Sequence, residues 1–181
     1  LLIEEQFLLS IAVSLGVCDY CNSLLTSQMI QPICKSKVKW PNDIFIGSSK
    51  VAGLLIENNA RSTGWGSSIV GIGLNVNQLS FELNLGHPTS LRLETQIKWD
   101  VNHVLKDLLR FIEARYLQLR AKKKDLLQDD YLRFLYRYKS WENYMIKGVE
   151  TKAMIMGITK TGKLILETKN GNLIECDNKE V

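Results

Sequence analysis

Asp43 and Lys50 are the two side chains whose types and spacing best fit chemistry. They lie on two short segments that read as adjoining strands, Asp43 to Ile46 and Lys50 to Glu57, with Gly47-Ser48-Ser49 as the hairpin turn between them. The glycine-rich segment GIGLNVN, Gly71 to Asn77, follows and supplies Asn75. An ammonium, a carboxylate and a carboxamide converging on one site suit a reaction that joins a carboxylate to a phosphate. Both reactants are anions, so their charge must be neutralised and held still. Lysine fits that task as a compact point charge on a flexible stem.

Each residue also has a plainer reading. Lys50 can be an exposed hairpin lysine, and Asp43 can cap a turn after Trp40-Pro41-Asn42. Gly53 in KVAGLLIE and Gly71 and Gly73 in the next strand let backbone approach a ligand where a Cβ would collide. This spacing is not a dinucleotide fingerprint, because no GxGxxG opens a helix. Asn75 can donate to and accept from phosphate or ribose oxygens, or can be a polar strand end.

KWPND (Lys39 to Asp43), then KxxGxLxE from Lys50, then GIGLNVN stand in a specific order and spacing. Together they make the chain resemble the catalytic domain of biotin protein ligases. The resemblance runs from about Glu4 to the end and is strongest between Val38 and Asn77. It implies an α+β fold with a mixed β-sheet flanked by helices, similar to biotinyl and lipoyl transferases, and then a small C-terminal β-barrel. The corresponding domains are residues 1–143 and 144–181.

The activity implied is formation of biotinyl-5′-AMP from biotin and ATP with Mg²⁺, followed by transfer of biotin to a lysine of a biotin carboxyl carrier protein. Lys50 would contact the biotin carboxylate and the phosphate. Asp43 would contact Mg²⁺-ATP, or orient and deprotonate the acceptor lysine. Trp40, Asn42, Gly53, Gly73 and Asn75 would complete the ligand site, Trp40 as either a core residue or a lid on the adenine. Glu57 would pair with Lys50. The resemblance also implies an upstream half-site with a Gly-Arg-rich loop, which this sequence does not contain, so the domain is expected to be N-terminally incomplete. The rival readings are a lipoate-type protein ligase, which KWPND disfavours, and a catalytically inactive module that binds the carrier.

The elements that position these residues follow from pattern. Glu4 to Leu25 reads as a helix, with Phe7, Leu8, Ile11, Leu15 and Cys18 at helical steps and Gly16 as a weak point. Lys37 to Trp40 is a strand stopped by Pro41. Asn58 to Gly66 is polar and reads as a turn. Ser67 to Asn75 is so continuously apolar that it is expected at the sheet centre. A short helix at 90–95, a long one capped by Asp100, and a third over 123–138 come next. Beyond Trp141 the segments 152–158, 163–168 and 172–176 read as strands, the last two joined through Asn170-Gly171.

Composition limits the function classes. With 45% hydrophobic and 23% charged residues over 181 positions, the chain is an ordinary globular sequence with room for one substantial core. A net charge of +4 is too small to argue for nucleic acid. No apolar run is expected to cross a membrane, and no secretory signal is visible. Cys18 and Cys21 form a CxxC with no second pair or nearby histidine, so they are expected to pack a helix in a reducing cytoplasm. His87 and His103 form no catalytic order with a serine or cysteine. Open sheet edges raise the expectation of self-association, for instance as a homodimer.

Overall fold

The computed structural model describes residues 6–27, 35–61, 64–82, 87–178 and 180. Its first element is α1 (Phe7–Ser27). This helix carries almost no polar stripe: thirteen of its residues, from Leu8 to Leu25, are buried around its whole circumference. A helix that is apolar all round must be enclosed. Here the first sheet covers one side, and α3 (Val101–Arg120) and α4 (Lys124–Phe134) cover the other. By length and composition alone α1 could cross a membrane, contrary to the expectation from sequence, but 72% of that window is buried inside the protein.

Two polar ties lock α1 in place. Ser36 Oγ donates to the Cys18 carbonyl at 2.9 Å, and Asn22 Oδ1 accepts from Ser36 N–H at 2.8 Å. Arg115 Nε and Nη1 reach Asp19 and Asp130, each at 2.6 Å, and so join α1, α3 and α4. Gly16 is the point of closest helix approach: a Cβ there would lie 2.7 Å from Ile112 Cα. Cys18 and Cys21 pack into this core as free thiols. Burial, the largest cause, pushes both thiols upward, Cys21 to about 12.

The first sheet has the order β1 (Ser36–Lys39), β2 (Asp43–Ile46), β3 (Ser49–Arg61), β4 (Gly64–Leu74). Among the described residues all its ladders are antiparallel, and parallel pairing occurs only as the isolated bridges Val38–Leu135 and Lys50–Pro88. The segment 58–66, expected as a turn, instead extends β3 and β4 into a long hairpin. Strand β4 is not central: among the described residues it pairs only with β3, and Ile69 is 69% exposed. On one face Ile72 and Leu74 pack against the core, while Val70 is exposed and the other face, with Ile69, lies open.

α2 (Leu91–Thr95) is capped by Ser90, whose Oγ accepts from Leu93 N–H, and Asp100 caps α3 as expected. α4 stops at Phe134 because Leu135 is extended and bridges to Val38. The second sheet is an antiparallel meander of β5 (Trp141–Ile146), β6 (Val149–Ile158), β7 (Leu164–Thr168) and β8 (Leu173–Cys176). β5 was not legible as a strand, and it contains residue 143, where the domain division was placed. β5 and β8 are the outer strands of this sheet. Lys147 N–H, just beyond β5, donates to the Glu180 carbonyl at 2.9 Å and draws the two ends together.

Gly16→Ala tests the helix packing. Alanine gains up to about 1 kcal/mol of helix propensity, but overpacking against backbone costs about 1–3 kcal/mol. The expected outcome is a lower denaturant midpoint; an unchanged or higher midpoint would mean that α1 and α3 are free to part.

Candidate functional site

The first sheet packs one face against α1, and Asp43 and Lys50 lie on the other. Side chains alternate between faces along each strand. Asp43 pairs in register with Gly53, and Gly53 with Gly73, so Asp43 and two bare glycines form one row on the open face. Strict alternation would turn Lys50 to the opposite face. A β-bulge prevents this: Ile44 pairs with Ala52 and Phe45 with Lys50, which leaves Val51 as an extra residue on β3. The bulge re-aims Lys50 onto the face of Asp43. Val51 and Ala52 both remain buried, at 0% and 1% exposure.

Lys50 Nζ then lies 2.6 Å from Asp43 Oδ1, with side-chain exposures of 42% and 25%. A Cβ on Gly53 would sit 3.4 Å from Asp43 Oδ1, Lys50 Cε and Lys50 Nζ, so Gly53 is the floor beneath the pair. Gly73 is less constrained, since a Cβ there would meet only the Gly53 carbonyl at 3.8 Å. The backbone of Lys50 is fastened by the loop before α2. Its N–H donates to the His87 carbonyl and its carbonyl accepts from Thr89 N–H, both at 2.8 Å.

The turn before Asp43 is held from two sides. Asn42 Nδ2 donates to the Leu54 carbonyl at 2.7 Å, and Leu54 N–H donates to the Asn42 carbonyl at 2.8 Å. Asn42 thus extends the sheet and spends its amide on backbone. The Trp40–Pro41 bond is cis, and Trp40 Nε1–H donates to the Gly162 carbonyl of the second sheet at 2.8 Å. Trp40 is therefore a bracket between the sheets, half-buried against the core. Asn75 sits where β4 ends: its Nδ2 donates to the Thr89 carbonyl at 2.9 Å, its N–H to the Val51 carbonyl, and its own carbonyl accepts from Leu91 N–H. It orders the loop that fastens Lys50.

The expected residues thus converge, but with different tasks. Asp43, Lys50 and Gly53 form one cluster; Asn42, Trp40 and Asn75 anchor the backbone around it. Glu57 does not pair with Lys50; it stands opposite Ile69 further along the hairpin. The contribution of His87 was missed because it is made by a carbonyl, which no sequence pattern marks. The bulge at Val51 was missed for the same reason. No group of three or more His, Cys, Asp or Glu able to hold a metal occurs among the described residues. Asp43 offers one carboxylate, the kind of site Mg²⁺ uses when phosphates supply other ligands.

An ammonium and a carboxylate in contact, above glycine and open to solvent, can receive an anion at the lysine and keep a base or metal ligand beside it. Comparison with known proteins points the same way. Residues 3–77 match the biotin/lipoate A/B protein ligase family. A bifunctional ligase/repressor BirA from Bacillus spizizenii is 32% identical over 153 residues, which are 76% of this chain and 43% of that protein. A biotin–[acetyl-CoA-carboxylase] ligase from Mycobacterium tuberculosis is 32% identical over 121 residues, 67% of this chain and 42% of that protein. The chain thus spans less than half the length of these relatives. Among solved structures, apo biotin protein ligase from Aquifex aeolicus superposes with a TM-score of 0.76 at 22% identity, covering 98% of this chain and 75% of that one. The same ligase in complex with biotin and ATP gives 0.74 at 21% identity, covering 96% and 69%. These two establish the fold.

Lys50→Ala is expected to change folding stability by no more than about 1 kcal/mol, because a part-exposed ion pair is worth little. Denaturant unfolding checks this. A larger loss would make Lys50 a structural residue.

Proposed function

Because the chain carries a biotin/lipoate A/B protein ligase family domain over residues 3–77, we propose that it serves a biotin protein ligase that makes biotinyl-5′-AMP and passes biotin to a lysine of a carrier protein. The observation that carries this reading is the Lys50–Asp43 contact above Gly53, aimed by the bulge at Val51.

In the first step a biotin carboxylate oxygen attacks the α-phosphorus of ATP. A new P–O bond forms, and the bond to the leaving pyrophosphate breaks. Lys50 lies where its ammonium can face both anions, lower their repulsion and stabilise the charge that builds on the phosphoryl oxygens. The glycine row lets the acid and nucleotide lie close to backbone. Mg²⁺ supplies further neutralisation of the phosphates when bound, and Asp43 is the carboxylate at this site that would hold it. In the second step the acceptor lysine nitrogen attacks the acyl carbon, AMP leaves with the bonding electrons, and the amine gives up a proton. Asp43 is also the base nearest Lys50 for that proton.

The remaining residues hold this geometry. Asn75 and the His87–Thr89 loop fix the Lys50 backbone, while Asn42 and Trp40 fix the turn that presents Asp43. Free, buried Cys18, Cys21 and Cys176 agree with a cytoplasmic enzyme.

Biotin transfer to a carrier domain with MgATP, followed beside ATP–pyrophosphate exchange, tests the proposal. Lys50→Ala should reduce exchange by at least about 100-fold, the scale of losing one preorganised charge contact. Retained exchange would remove Lys50 from the reaction. Asp43→Asn should lower exchange and recover partly as Mg²⁺ is raised; loss of transfer alone would give Asp43 the acceptor role instead. Lipoate outcompeting biotin as substrate would favour the lipoate branch of the family.

A further inference from the structure

A cleft of about 620 Å³ opens between the two sheets, beside the reactive pair rather than within it. Lys39, Trp40, Phe45, Tyr136, Arg137 and Tyr144 are among its walls. Its chemistry is basic and aromatic in alternation. Lys39 Nζ stands 5.2 Å from the Phe45 ring centroid, Phe45 and Tyr136 lie 5.4 Å apart, and the Arg137 guanidinium is 5.1 Å from the Tyr136 ring. Cation–ring stacking of this kind holds the charges in fixed places.

The positive charge extends along β1. Lys37 and Lys39 alternate with buried Ser36 and Val38 on β1, so both share the open face, and exposed Lys35 directly precedes the strand. No ion pair joins any of the three to a carboxylate among the described residues, and the same holds for Lys139 beyond the cleft. Lys37 donates only to the Arg133 carbonyl. No carboxylate lines the cleft among the described residues; Glu142, 3.4 Å from Arg137, pairs with it from outside the lining. The Tyr144 hydroxyl is buried without a hydrogen-bond partner among the described residues. A chain with a net charge of only +4 has therefore concentrated unpaired cations on this face.

This surface is continuous with the reactive pair. Lys39 stands opposite Asp43 in the β1–β2 register, and Phe45 opposite Lys50 in the β2–β3 register. Neighbouring strands lie about 5 Å apart, so whatever rests on Lys39 and Phe45 reaches Asp43 and Lys50 one strand further on.

We propose that this cleft and the β1 lysines dock an acidic face of the protein that carries the acceptor lysine, and so set the lysine down at the reactive pair. The inference rests on the ligase reading and names the partner surface of the same site. Opposed charges would steer the encounter and fix register, and dependence on salt would follow.

The test uses a purified biotin carboxyl carrier domain as probe, with binding followed by calorimetry at low and high salt, and ATP–pyrophosphate exchange measured in parallel. Lys39→Glu combined with Arg137→Glu should weaken carrier binding at least tenfold and flatten its salt dependence, with exchange unchanged within twofold. Lys39→Gln with Arg137→Gln should give a smaller loss in the same direction, which guards against a folding defect in the reversed pair. Unchanged carrier affinity and salt slope in both variants would overturn the docking surface. So would tighter binding of a short DNA duplex than of the carrier by the unaltered chain, which would assign the patch to nucleic acid. Carrier binding lost in the variants, with no exchange by the unaltered chain even when the expected upstream half-site is restored, would uphold the surface and sink the ligase reading, leaving a carrier-binding module.

Discussion

Enclosing α1 is the constraint from which the rest of the structure follows. A helix apolar on every side must be covered on every side. The first sheet supplies one cover, and α3 and α4 supply the other. The closeness of that packing depends on Gly16 against Ile112 and on the Arg115 bridge to Asp19 and Asp130. Once the inner face of the sheet is given to α1, polar and reactive side chains have only the outer face. A one-sided sheet is thus both the protein's scaffold and the floor of its site.

On that floor, a single extra residue decides the chemistry. Without Val51 in the bulge, pleat alternation would place Lys50 and Asp43 on opposite faces of the sheet. With it, the ammonium and carboxylate touch, and two buried residues in succession keep the inner face intact. The loop from His87 to Thr89 then holds Lys50 through backbone hydrogen bonds alone. Its identity can vary in side chain while its function is kept, since carbonyl and amide groups do the fastening.

The second sheet is tied to this arrangement rather than appended to it. Trp40 belongs to the same turn as Asp43, and its indole binds the Gly162 carbonyl. Gly162, with φ of +92°, has Phe7 of α1 against it so closely that a Cβ there would fall 2.3 Å from the ring. The turn at 159–163 therefore meets the site and the core helix together. The cleft beside the Lys50–Asp43 pair exists because the two sheets approach there without sealing, and of the β1 lysines Lys39 lines the gap.

Much of this was readable before any coordinates. The ordered motifs KWPND, KVAGLLIE and GIGLNVN carried the resemblance to biotin protein ligases and marked Asp43, Lys50 and Gly53, which the structure brings together. The cap at Asp100 was legible because capping is local, while Ser90, read as the first residue of its helix, is the cap of that helix. The position of β4 at an edge, the extension of the 58–66 hairpin, the early end of α4 at the Val38 bridge and the existence of β5 were not, because each depends on partners distant in sequence. So did the tasks of Asn42, Asn75 and Trp40, whose polar side chains bind backbone contributed by other elements. Sequence by itself determined which groups could react and that Phe7 to Leu25 is a helix, since side-chain type and hydrophobic spacing are local properties; that this helix is buried all round came with its partners. Tertiary structure alone decided which face Lys50 uses, because register and bulge are set by pairing energy summed along whole strands.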